Sequence, residues 1–174
     1  SMRSVQNKPG MPAFVQHLSE NACALLIESR AASSSLLHEQ LALIMASLAR
    51  FPVEKQVDFT EDPLENARLW AIRKDTFPAV GAVRKTGTTV IIEDVTFPVE
   101  QLAIGVNRLI ALFDKHHYDE AILFGHALEG NLHFVFTQGF NNPEEVARYQ
   151  AFMDDVAQLV AVEFGGSLKA EHGT

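Results

Sequence analysis

Two rhythms of hydrophobic positions run along this chain. Leu37, Leu41, Ile44 and Leu48 recur at three- and four-residue steps, after Ser33-Ser34-Ser35 and before Pro52. That pattern predicts an amphipathic helix with a serine N-cap and a proline just past its end. Asp62-Pro63-Leu64-Glu65 predicts another helix: Asp62 caps, Pro63 suits the first helical position, and Glu65 follows the cap by three residues. It carries Leu69, Trp70 and Arg73. Pro98 opens a third, with a stripe of Val99, Leu102, Val106, Leu109 and Phe113. Asn142-Pro143-Glu144-Glu145 repeats the start signal for a fourth, carrying Val146, Tyr149, Met153, Val156 and Val160 and stopping at Gly165-Gly166. A short helical stretch is expected at Pro12–Leu18. The second rhythm is that of strands: an apolar run at Ala22–Glu28, alternation at Lys55–Phe59, a β-branched run at Thr88–Val95, and Ala121–Gly125 with Leu132–Thr137 flanking a turn. Thr76–Gly87 reads as loop.

The resulting order, β α β α β α β β α, mixes hairpins with helical crossovers. It predicts an α+β fold with a ferredoxin-like antiparallel sheet and helices packed on one face. Ala22–Glu28, Thr88–Val95, Ala121–Gly125 and Leu132–Thr137 are expected in that one sheet. A length of 174 residues suits a single domain, here residues 21–174 behind a lead-in at 1–20. Ser1-Met2 reads as the remnant of a cleaved tag. The C-terminus stops just after Glu171-His172-Gly173, so the chain reads as a piece of a larger protein.

Composition narrows the function classes. Hydrophobic residues make up 47% and charged residues 21%, too apolar and too weakly charged for disorder. The apolar stretches fall well short of the roughly 18 residues that a membrane span needs. A net charge of -8 repels phosphate backbones, which argues against nucleic-acid binding. Cys23 is the single cysteine, so neither an internal disulfide nor a cysteine-based metal site can form within the chain. A cytoplasmic protein is expected, with a membrane-peripheral place for the full-length protein as the alternative.

Three groups of residues could carry chemistry. The first is the hairpin Gly125-His126-Ala127-Leu128-Glu129-Gly130-Asn131-Leu132-His133. Alternation puts Asn131, His133 and Val135 on one face and Leu132, Phe134 and Phe136 on the other. Symmetric pairing about the turn makes His126 a diagonal neighbour of His133, within reach of one divalent ion. A solvated or structural pair of histidines has the same spacing. The second is Glu171-His172, a carboxylate able to ligate beside an imidazole able to act as base. The third is Trp70-Ala71-Ile72-Arg73, in which Trp70 and Arg73 share a helix face and Arg73 can clamp a carboxylate; a surface arginine covering the tryptophan is the plainer reading.

Taken together these segments resemble the C-terminal substrate domain of FAD-linked oxidases in the vanillyl-alcohol-oxidase superfamily. The branch they resemble is that of the D-2-hydroxyacid dehydrogenases, which includes glycolate oxidase, D-lactate dehydrogenase and D-2-hydroxyglutarate dehydrogenase. The resemblance runs from about Leu64 to the end. It rests on Leu69-Trp70-Ala71-Ile72-Arg73, Glu93-Asp94-Val95-Thr96-Phe97-Pro98, the histidine hairpin and Glu171-His172-Gly173, in that order. The segment from Gly165 to Thr174 looks most like the large bacterial D-2-hydroxyglutarate dehydrogenases that carry a downstream iron–sulfur region.

The resemblance implies a division of labour. His126, His133 and Glu171 match the residues that hold a divalent metal, usually zinc. His172 matches the base that takes the hydroxyl proton, and Arg73 an arginine that binds a substrate carboxylate. FAD would sit mainly in an N-terminal domain of the same polypeptide, and a 4Fe-4S cluster in a part outside this chain. The substrate implied is a 2-hydroxy acid, oxidised to a 2-oxo acid. Two features depart from the pattern: Leu128 and Glu129 replace the usual middle of the hairpin. Ile92 and Val135 stand where some hydroxyglutarate enzymes have a lysine and an asparagine. The competing expectation is a ferredoxin-like module that binds a small ligand or a subunit without redox activity.

Overall fold

The computed structural model describes residues 13–19, 22–75 and 84–171. The chain divides into two compact units, one spanning Met2–Asp75 and the other Thr76–Thr174 together with Ser1.

In the first unit α1 is Ala13–Gln16, α2 Ser34–Leu48 and α3 Pro63–Asp75. Ser33 caps α2 by accepting the Leu36 N–H at 3.3 Å. The expected stripe of α2 is real: Leu37, Leu41, Ile44 and Leu48 are its half-buried positions. Asp62 accepts the Leu64 N–H at 2.9 Å and so starts α3 as its side chain predicts. Two expected strands do not form. Ala22–Glu28 and Lys55–Phe59 are irregular chain. Leu25 is 66% exposed, so this apolar run lacks both a ladder partner and a covering layer. A short apolar run carries no information about its partner, which is why periodicity alone misassigned it.

The second unit holds β1 Thr88–Thr96, α4 Leu102–Lys115, β2 Ile122–His126, β3 Asn131–Gly139 and α5 Pro143–Ala157. The strands form one antiparallel sheet in the order β1-β3-β2. The α+β class and the helical layer are as expected, with three described strands rather than the four proposed. Register gives each face its role. Val95, Leu132, Phe134 and Phe136 pack against Leu109 and Phe113 of α4 and Phe152 and Val156 of α5. Stacked and edge-on rings fill this core, with Phe113 and Phe152 centroids 5.3 Å apart and Phe136 and Phe152 also 5.3 Å apart. The opposite face carries Val90, Ile92, Asp94 and Thr96 of β1, Asn131, His133 and Val135 of β3, and Ile122, Phe124 and His126 of β2.

After α5 the helix continues as a π-helical stretch, Gln158–Glu163. Gly166 then donates to the Val160 carbonyl at 2.8 Å, and Ser167 pairs with Thr96 by two hydrogen bonds of 2.8 and 2.9 Å. This isolated antiparallel bridge brings the C-terminal segment back to the end of β1. Among the described residues, no helix is long and apolar enough to cross a membrane.

Candidate metal centre

The hairpin between β2 and β3 turns through a short 3-10 stretch, Ala127–Glu129, and closes at Gly130, whose φ is +65°. A Cβ at Gly130 would collide with the Phe97 carbonyl oxygen, and Phe97 donates back to the Gly130 carbonyl at 3.0 Å. Glycine is therefore required twice over, by its left-handed conformation and by the close approach of the Phe97 backbone. The turn sets His126 opposite Asn131. His126 and His133 consequently occupy diagonal positions on one face, as symmetric pairing predicted.

The two rings lie edge to face, with centroids 5.5 Å apart. Glu171 completes the group. Its Oε2 lies 3.1 Å from His133 Nε2 and 3.5 Å from His126 Nε2. One ligand atom from each of the three residues falls within 4.8 Å of the others. Ligands around a tetrahedral zinc ion stand about 3.3 Å apart when each bond is about 2.0–2.1 Å. The two carboxylate-to-imidazole separations already bracket that spacing, so the residues fit a divalent ion of the size of zinc. Nitrogen and oxygen donors without thiolate suit zinc or another borderline divalent metal.

Exposure differs across the group. The His133 side chain is 5% exposed, against 49% for His126 and 52% for Glu171. One of the three side chains is thus buried in the sheet and the other two are half exposed. Phe124 lies beside His133, centroids 5.4 Å apart, and restricts its ring.

Arg73 is half-buried on α3, in the unit spanning Met2–Asp75. Its neighbour Trp70 is 43% exposed and donates to Glu28 Oε2 at 3.2 Å, so this tryptophan is not a core residue. His172 lies outside the described residues. Cys23 is exposed and is the only cysteine of the chain, so these residues do not fit a 4Fe-4S cluster, which takes several thiolates.

One residue at the site had no role assigned from the sequence. Asp94 opposes His133 in the β1–β3 register, is 2% exposed, and accepts a hydrogen bond from the backbone N–H of Glu171. A signal existed, since an aspartate in the middle of a β-branched strand is costly unless something needs it. What it faced depended on a register that one strand cannot reveal.

The family described as FAD linked oxidases, C-terminal domain, matches residues 1–174. The chain belongs to that family. Among its relatives, it is 33% identical to the glycolate oxidase subunit GlcD of Escherichia coli (strain K12) over 117 residues, 67% of this chain and 22% of that protein. It is 31% identical over 107 residues to the D-2-hydroxyglutarate dehydrogenase of Haemophilus influenzae, covering 61% of this chain and 10% of the relative. A probable mitochondrial D-lactate dehydrogenase of Danio rerio is 26% identical over 149 residues, covering 86% and 29%. This FAD-linked oxidase C-terminal domain therefore spans 10–29% of the length of these relatives.

Proposed function

We propose that this chain is the metal- and substrate-binding part of an FAD-dependent D-2-hydroxyacid dehydrogenase. The observation that carries this reading is the convergence of His126, His133 and Glu171 on one face of the sheet, in a chain of this family. Those three residues would hold a divalent ion, zinc by the donor set. When bound, the ion supplies Lewis acidity toward the substrate hydroxyl, and FAD, held by an N-terminal domain of the same polypeptide, supplies the hydride acceptor.

Oxidation of a 2-hydroxy acid removes the hydroxyl proton and the C2 hydride, and this chain's residues serve the proton and the carboxylate. His172, next to Glu171 in sequence, takes the hydroxyl proton. Arg73 offers a planar fork to the substrate carboxylate. The neighbouring row of the sheet bears on the substrate side chain. Ile92, Val135 and Ile122 are cross-strand partners on the His133 face, and no lysine or arginine occupies a described strand position on that face. Val135 and Ile122 are buried and Ile92 is 37% exposed, so this row offers no cation to a second substrate carboxylate, and the substrate proposed is a 2-hydroxy acid of the D-2-hydroxyglutarate or D-lactate type.

The test uses the full-length protein. His126→Ala and His133→Ala should each lower kcat with a 2-hydroxy acid by about 100-fold or more, because each removes a ligand of the ion. Near wild-type turnover in both variants would end the metal reading and leave a ligand-binding module.

A further inference from the structure

Of the three residues that converge, Glu171 alone belongs to no helix or strand. Among the described residues, the C-terminal segment forms a backbone β-bridge with the sheet only at Thr96–Ser167. Beyond it, Ser167 Oγ accepts the Lys169 N–H at 3.1 Å and donates to the Lys169 carbonyl at 2.7 Å, a local turn that ties the segment to itself. The segment meets β1 again through the hydrogen bond from the Glu171 backbone N–H to Asp94 Oδ2. That bond fixes the backbone of a residue whose carboxylate side chain is half exposed.

We propose that Asp94 is a positioning residue that holds Glu171 beside His126 and His133. The inference rests on the metal-binding reading above. Asp94 stands on the same face as the two histidines and directly across from His133, so the strand paired with the one that carries His133 also anchors Glu171. Its carboxylate is buried, and a buried carboxylate is expensive unless it is strongly hydrogen-bonded. A charged acceptor makes the bond to an amide N–H stronger than a neutral one would. Asp94 serves no packing role in the aromatic core, which lies on the other face. Nor is it one of the three residues whose ligand atoms converge. It therefore acts through the backbone of Glu171, which it sets at a fixed place relative to His133.

The experiment titrates the 174-residue chain with cobalt(II), whose absorption reports coordination, and follows hydrogen exchange of the Glu171 amide by NMR. Asp94→Ala should weaken cobalt binding about 10–100-fold, the range for a residue that orients a ligand, and should release the Glu171 amide to fast exchange. Asp94→Asn keeps an acceptor oxygen and should restore affinity to within about threefold of wild type with the amide again protected. Glu171→Gln should cost much less in the Asp94→Ala background than in wild type, because the ligand is already displaced. Unchanged affinity and unchanged amide protection in Asp94→Ala would overturn the proposal, as would Asp94→Asn being as weak as Asp94→Ala while both melt like wild type. If Asp94→Ala does not fold, Asp94→Asn and the Glu171 amide decide alone. If the wild-type chain binds no cobalt, the metal reading falls on its own. Asp94 is then judged by exchange, with loss of Glu171 protection in Asp94→Ala sustaining the anchor and equal protection removing it.

Discussion

Gly166 lies against the end of β1. A Cβ there would collide with the Thr96 carbonyl oxygen, the same oxygen that accepts the Ser167 N–H at 2.9 Å. The sequence signal Gly165-Gly166 reads as a helix stop, and Gly165 at φ +61° serves that purpose. Gly166 serves another, permitting two backbones to touch. Gly166→Ala should therefore lift the bridge from β1 and weaken metal binding at Glu171 by about tenfold, as loss of a ligand's support does, leaving the aromatic core folded. Cobalt titration alongside a thermal melt measures both, and retained affinity would mean that the bridge does not hold the ligand. The two histidines were legible as candidate ligands from the hairpin alone, because imidazoles flanking a glycine turn reach one face by alternation. Asp94 was not, because its partners come from a strand beyond the next helix and from the chain's end.

At the scale of elements, the helix starts carry the most local information. Asn142 accepts the Glu145 N–H at 2.9 Å, and the Glu145 side chain accepts the Asn141 N–H at 2.8 Å, so two side chains of the start signal satisfy backbone donors at the start of α5. Asn142→Ala should cost about 1 kcal/mol of stability, read by denaturant unfolding. Packing between helices is less visible in sequence. Asp155 on α5 accepts from Lys115 Nζ and meets His116 Nε2, each at 2.6 Å, and so ties α5 to the end of α4. Hydrogen bonds from Lys115 first and His116 second hold the Asp155 carboxyl below the usual aspartate range. An acid whose value is depressed in the fold stabilises it fully above its ordinary range, and that contribution is lost as pH falls through the depressed value. The pair is partly solvated, so Asp155→Asn should destabilise the fold by only about 0.5–1 kcal/mol at neutral pH. The gap to wild type should close as the melts are taken to progressively lower pH. A constant gap at all pH values would exclude the charge as its cause.

On the scale of the whole molecule, the His126, His133 and Glu171 cluster and the aromatic core occupy opposite faces of one sheet. Phe113, Phe134, Phe136 and Phe152 are packed without any contribution from His126 or Glu171. Withdrawing a metal ion should therefore leave the fold standing. In the full-length protein a chelator is expected to abolish turnover with little change in circular dichroism, and added zinc to restore it. Unfolding on chelation would assign the ion a structural role instead. The chain contains no glycine-rich dinucleotide fingerprint and spans a small fraction of its relatives. No dehydrogenase activity is expected from it with an artificial dye when no flavin is added.

The order of residues was enough to specify the class of fold, the capped starts of α2, α3 and α5, the hairpin and the shared face of its histidines. Each of these is a short-range consequence of side-chain period, cap chemistry or turn chemistry. The helix expected to open at Pro98, by contrast, begins as a 3-10 stretch at Val99–Gln101 and becomes α-helical at Leu102. Residue order was not enough to specify which apolar runs become strands. Ala22–Glu28 has the composition of a buried strand and no ladder partner to make it one, whereas Leu132–Thr137 lies between two neighbours that satisfy its backbone. The meeting of Glu171 with the histidines, and the place of Asp94 behind it, emerge only in the folded chain. Both depend on the return of the chain from α5 to the end of β1, a contact between segments more than 70 residues apart, which no local period encodes.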